Sequence, residues 1–460
     1  MISVHPMYNA SWRRVLLTGV AVLSLAFYAV RIVGPSPNTR LWDFAAYYTG
    51  AHLLMHTPGE MAHIYDDLWF RAQIERAGLP GVRSVFDIQP PTMSLLMAPV
   101  AWMPPLLAFA VWRAVETLCL CGGLIVLGKC LGLRLRRALW LIPLGLLYSP
   151  VRLDIRLGQA YLTLFFVLTL LFSAASRTTA ERQGGLFAGL RTGLPLGLML
   201  VIKSAAVWLW PLLLLGGRWR AILWGILVAA AVAVVTLPII GVQTWRAYFE
   251  AIPPFLGAAM HHLVVFQTTT SFFGRLFMYD AEWNPEPLAN CPWLAHILTL
   301  GISLAALILT ARWARLNDER VAARMLTLAL YISLIVVNAP VATEHHYNLV
   351  LPALIVAWWW AGEWRPGWRS YTVLIAATFL LGFSFPYLEH RLENGAWVLL
   401  AYPRVCGAYL LWGWLGAALC SMPAAPATES RRFAAVHNAV HADALAEPRD
   451  HNALKNHGAG

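Results

Sequence analysis

Four short segments place ionisable residues beside the apolar runs of a chain in which only 12% of residues are charged. Asp43 stands in Trp42-Asp43-Phe44-Ala45-Ala46-Tyr47-Tyr48. Arg152 and Arg156 flank Asp154 in the stretch Tyr148 to Gln159. Lys203 separates two apolar runs, and Thr343-Glu344-His345-His346-Tyr347-Asn348 carries a histidine pair. Arginine offers phosphate a planar, bidentate fork, and lysine a compact point charge. Aspartate and histidine are the usual side chains for taking a proton from an attacking hydroxyl. Asp43, three cations and two imidazoles therefore suit group transfer at a lipid phosphate, provided that they meet. Each segment also has a plain structural reading. Asp43 can cap a helix by accepting from the backbone N–H near Ala46. Arg152 and Arg156 can pair with Asp154 or reach lipid head groups. Lys203 can be an interfacial anchor, and the histidines satisfied interfacial residues. Those readings do not require the four segments to share one face; the chemical reading does.

The elements that must bring them together are membrane helices. Of 460 residues, 59% are hydrophobic and 12% charged, where a soluble domain carries about 25%; mean hydropathy is +0.60. Apolar runs and basic clusters together give twelve spans: 15–33, 105–131, 138–150, 157–175, 185–201, 204–216, 221–240, 293–311, 325–339, 349–362, 371–387 and 396–418. A span takes about 20 residues, so the short ones imply thinned or re-entrant geometry shielded by neighbours. The first run is too long for a signal-peptide core and lacks a small-residue cleavage site, so it reads as a retained helix. With Arg13 and Arg14 inside, the clusters Arg134/Arg136/Arg137, Arg177/Arg182, Arg218/Arg220, Arg312 to Arg324 and Arg365/Arg369 fall on the same, cytoplasmic side. The net charge of +11 thus reads as loops facing anionic lipid, not as a nucleic-acid footprint.

The expected organisation is a membrane domain over 1–423 and a polar, disordered cytoplasmic tail over 424–460. The domain has two large outer loops, 34–104 and 241–292. The first holds amphipathic stretches near 43–56 and 64–77, then an apolar run at 92–103 that is too short to span comfortably. All four polar segments map to the outer surface. Arg113, Arg191 and Arg404 lie inside spans, where structural pairing and function are equally open. The tail histidines His437, His441, His451 and His457 read as solvated. The six cysteines give no zinc spacing and no disulfide within the chain, and no metal or other cofactor is expected.

Several of these segments resemble glycosyltransferase family 87, of the GT-C fold, in the family's order. They are Asp43-Phe44 then Tyr47-Tyr48, Ile64-Tyr65-Asp66, Pro90-Pro91 before an apolar run with Pro99 and Pro104, and Trp112. Then follow Gly158-Gln159, the apolar run ending at Lys203, Trp245-Arg246-Ala247-Tyr248, and His346-Tyr347. The likeness covers roughly residues 40–360. Gln89 replaces the aromatic usual before the proline pair, Ala160-Tyr161 replaces the asparagine usual after Gly-Gln, and Ser204 stands where proline often follows the lysine. The resemblance implies an inverting, polyprenyl-phosphate-sugar-dependent hexosyltransferase, such as a mannosyltransferase. Its catalytic groups would be Asp43, as general base, and His346. Arg152, Arg156, Lys203 and His345 would hold the donor phosphate, and Tyr47, Tyr48, Gln159 and Tyr347 the substrates. The implied partners are the lipid-linked donor, a lipid or glycan acceptor and membrane lipids. The implied place is the cytoplasmic membrane, with the site facing the periplasm or cell exterior. A phosphate beside His346 would raise its pKa. Two other classes stay open: a multi-span transporter or lipid flippase, which would use buried mid-span charge, and an acyltransferase with a histidine base, which would leave Asp43 unexplained.

Overall fold

The computed structural model describes residues 41–422, apart from 178–188, 204–206, 208 and 316–317, together with isolated positions before residue 41. The expected span 15–33 falls mostly outside the described residues, and the tail 424–460 with its histidines wholly outside them. Among the described residues every element is helical, save one isolated antiparallel bridge between Asp280 and Asn284.

Three described helices are long and apolar enough to cross a membrane: Pro105–Cys130, Trp219–Ile240 and Pro292–Trp313. At 1.5 Å per residue the first is about 39 Å long, more than the roughly 30 Å hydrocarbon core. A fourth crossing arises if Leu135–Leu147 and Ser149–Leu157, bent by 70° against each other, form one broken span. The other expected spans coincide with shorter helices. Val321–Ile335, for example, is buried along almost its whole length, so protein rather than lipid covers it. The expected span 204–216 contains only the six-residue helix Trp210–Leu215.

Close packing sets the position of Lys203. Helix Leu190–Ile202 carries Gly193 and Gly197 one turn apart, and a Cβ on Gly197 would lie 2.6 Å from Val228 Cβ. Bare backbone there lets the helix lie directly on Trp219–Ile240, the small-residue contact favoured in membranes. Lys203 follows in extended conformation at the helix end. Helix Tyr161–Arg177 is fixed from another direction. The buried Glu116, on Pro105–Cys130, accepts from the N–H groups of Leu162 and Thr163 at 3.0 and 3.1 Å. These are amides that a helix start leaves unpaired.

The first outer loop differs from expectation. Trp42–His56 is a helix, but not an amphipathic one at an interface: Phe44 through Tyr48, Thr49, Ala51, Leu53 and Leu54 are all buried. A helix apolar on every side belongs inside a protein. The residues after it supply the cover. Asp67–Arg76 buries Phe70, Gln73 and Ile74 on one face and is capped by Asp66. Thr92–Met97 buries Thr92, Met93, Ser94 and Met97.

Candidate functional site

The helix containing Asp43 starts at Trp42, with Leu41 at its N-cap and no side-chain cap bond. Asp43 lies in the first turn and does not cap it. Its carboxyl faces a cavity of about 530 Å³, where Gln159 bonds to it.

Gln159 reaches that position through its neighbour. Gly158 ends helix Ser149–Leu157 in the left-handed region, φ +71°, and a Cβ there would meet Phe44 at 2.7 Å and Phe109 at 2.8 Å. Only glycine meets both demands. Trp112 Nε1 donates to the Gly158 carbonyl at 3.0 Å, fixing the turn. Lys203 Nζ donates to the Tyr47 hydroxyl at 2.9 Å, and that hydroxyl donates to Gln159 Oε1. With its oxygen turned to these donors, the amide of Gln159 offers its N–H to Asp43. Lys203, Tyr47, Gln159 and Asp43 thus form one chain of hydrogen bonds. Lys203 Nζ also lies 4.8 Å from the centroid of the Tyr161 ring, within cation–π range.

The histidine pair closes the polar end of the cavity. Thr343 opens a 3-10 turn, Glu344–Val350, through a capping box in which the Thr343 N–H donates to His346 Nδ1 at 3.2 Å. That bond leaves Nε2–H as the donor of a neutral imidazole. The two imidazoles stack with centroids 4.6 Å apart, and Tyr161 packs on His346 at 4.3 Å.

Burial governs the charges. It lowers Lys203 to about 8, the Asp43 and Asp87 carboxylates opposing the shift. It raises Asp43 above the ordinary carboxylate value, with Gln159 and Lys203 pulling the other way. It pushes Asp87 up to about 7, against the pull of Lys203. His345 falls to about 3 through burial and the Lys203 charge, and His346 also falls far below 6.5 through burial, His345 and Lys203. Both imidazoles are therefore neutral near pH 7.

The cavity brings together Asp43, Gln159, Lys203, His345 and His346. Tyr47 is buried directly behind them. The other expected site residues point elsewhere. Arg152 Nη2 donates to Ser384 Oγ at 3.0 Å, and Arg156 is exposed on the same short helix; neither lines the cavity. Of the three expected cations only Lys203, just past the end of helix Leu190–Ile202, lines it. Tyr48 is turned away, its hydroxyl donating to the Met103 carbonyl at 2.8 Å, and the buried Tyr347 donates to the Gln267 carbonyl at 2.6 Å. Of the mid-span arginines, Arg404 pairs with Glu344 at 2.6 Å and is fully buried.

Sequence reasoning missed Asp87, Tyr161 and the far wall, where Tyr248, Ile252, Phe255, Leu256, Met260 and Phe266 of the second outer loop present an apolar surface. Asp87 left one trace, as the sole acid between Glu75 and Glu116. Among the described residues, no group of three His, Cys, Asp or Glu side chains could hold a metal ion.

The sequence model of glycosyltransferase family 87 matches residues 88–338, more than half of the chain. The match includes Gln159, Tyr161 and Lys203. Asp43, Asp87 and the histidine pair lie outside the matched residues and line the same cavity. No curated protein and no solved structure matches the chain.

Proposed function

The chain belongs to glycosyltransferase family 87 and is a membrane glycosyltransferase; on that premise we propose that it transfers a hexose such as mannose from a polyprenyl-phosphate donor to a lipid or glycan acceptor. The observation that carries this reading is the two-sided cavity. Asp43, Gln159, Lys203, His345 and His346 gather at one end, and an apolar wall from Tyr248 to Phe266 continues from it. A polyprenyl-phosphate sugar is amphiphilic in the same way.

In this reading Lys203 holds the donor phosphate as a point charge, and the neutral histidines donate hydrogen bonds to its oxygens. Asp43, oriented by Gln159, accepts the proton of the acceptor hydroxyl. The new bond forms from that oxygen to the anomeric carbon. The bond from that carbon to the phosphate oxygen breaks, its electron pair leaving with the polyprenyl phosphate. One displacement inverts the anomeric configuration. Positioning and charge placement supply the catalysis. The same reading carries the twelve-span GT-C architecture, with the cavity at the outer face of the cytoplasmic membrane. Its support is that segments far apart in sequence, all assigned to one side by the basic clusters, converge on one cavity.

The test is an assay of the purified protein in lipid nanodiscs with radiolabelled polyprenyl-phosphate mannose and lipid or glycan acceptors. The expected outcome is a labelled product of inverted configuration with equimolar release of polyprenyl phosphate. Turnover of nucleotide sugars but no polyprenyl-phosphate hexose would refute the donor. Translocation of the lipid without cleavage of the sugar–phosphate bond would instead make the protein a flippase.

A further inference from the structure

Asp87 has no part in the chemistry described so far, yet it lines the same cavity. Its backbone is unusual. With φ +50° it is one of two non-glycine residues in the left-handed region among those described, a conformation that persists only where neighbours over-determine it. Here they do. Phe86 is fully buried, its ring 5.7 Å from those of both Phe70 and Tyr65, and Tyr65 donates to the Gln89 carbonyl at 2.8 Å. Pro90 and Pro91 stiffen the chain immediately after. The turn thus holds a carboxylate at a fixed point, and its side chain is open to the cavity.

The neighbouring groups narrow its task. Lys203 interacts electrostatically with Asp43 and Asp87 alike. If Lys203 takes the phosphate and Asp43 faces the anomeric carbon, the sugar ring lies within one ring's width of Lys203. A second carboxylate there meets ring hydroxyls, and a carboxylate's two acceptor oxygens match two neighbouring hydroxyl donors. We propose that Asp87 is a specificity-determining residue that binds a pair of adjacent hydroxyls on the donor sugar. The assignment rests on the polyprenyl-phosphate-sugar reading above.

The experiment uses the full-length protein in nanodiscs with a polyprenyl-phosphate hexose that the wild type turns over. Donor KM and kcat are compared for wild type, Asp87→Asn and Asp87→Gly. Glycine accepts the left-handed backbone without steric cost, so a defect shared by both variants cannot come from a collapsed turn. Both should raise donor KM roughly 10–100-fold, the loss expected for charge-assisted hydrogen bonds, with kcat changed only a few-fold. Donors lacking one ring hydroxyl supply the second readout. One or two of them should be poor substrates for the wild type and no poorer than the parent donor for the variants. An unchanged KM would overturn the assignment, as would equal sensitivity to every deoxy donor in wild type and variants. A collapse of kcat at normal KM would also overturn it and make Asp87 the base. A wild type that turns over no such donor would sink the donor reading and this assignment together; a normal KM in active variants sinks this assignment alone.

Discussion

Glu344 and His345 are adjacent in the chain but belong to two differently built polar regions. Glu344 turns into a closed cluster. Arg404 Nη2 meets its carboxylate at 2.6 Å and the Phe383 carbonyl at 2.7 Å, Arg404 Nη1 donates to the Leu380 carbonyl at 2.8 Å, and Tyr387 donates to the second carboxylate oxygen at 2.9 Å. Ser149 donates to the same carboxylate. His345 turns the other way, into an open cavity with two carboxylates and a lysine on its wall. Both regions bury charge, which is costly in a low-dielectric interior. In the first, the charges answer each other within the protein. In the second, Asp43, Asp87 and Lys203 face a space that a substrate can fill. Buried charge alone does not mark a catalytic centre; charge left facing an accessible cavity is the stronger sign. The closed cluster still serves the open one, because it anchors the turn from which both histidines project.

The comparison can be broken from either side. The largest stability effect should come from the closed cluster. Glu344→Gln or Arg404→Met alone leaves one buried charge uncompensated and should cost about 3–5 kcal/mol, read as a lowered thermal unfolding midpoint in detergent. Combining the two should restore much of the loss; strictly additive losses would show that the ions are not a pair. At the open site, Lys203→Gln should cost less stability than either of those changes, because Asp43 and Asp87 face the cavity, and should weaken donor use by about 1.5–3 kcal/mol, the worth of a charged hydrogen bond, read as donor KM with acceptor KM unchanged. The sign of the pH effect follows from burial. Lys203 is cationic below about 8 and neutral above it, so kcat/KM for the donor should fall as pH rises through 8. That ratio reports the free enzyme. Gly158→Ala adds a single methyl group. Forcing a side chain into the left-handed region costs about 1–2 kcal/mol, and the contacts with Phe44 and Phe109 should add to it. Turnover should fall as well, because Gln159 moves with the turn; unaltered turnover would deny Gln159 its orienting role.

The sequence was legible where one local rule decides the outcome. The apolar run at 105–131 became the helix Pro105–Cys130, since length and hydropathy suffice for such an element. Gly158-Gln159 and the run ending at Lys203 were also readable, because backbone geometry and a helix end fix those side chains. Illegible parts depended on what lies across from a residue. Trp42–His56 looked amphipathic because nothing in its own residues announces the cover supplied by 58–103. Arg152 and Arg156 suggested a phosphate fork by type and spacing, yet Asp154 between them bonds to Asn348 at 2.9 Å. That contact turns the short helix so that Arg152 meets Ser384. Asp87 needed a backbone torsion to be noticed, and the span count depended on which helices protein covers instead of lipid.

The central claim is that Asp43 works as a base in the open site and is not a helix cap. Steady-state turnover of Asp43→Asn, measured beside its thermal unfolding midpoint, tests that claim most directly. Asparagine keeps the size and capping ability of aspartate but cannot take up the proton. The account predicts a 10²–10⁴-fold loss of kcat, as general-base removal typically costs, with the unfolding midpoint unchanged. A variant that retains more than about a tenth of wild-type turnover would contradict it.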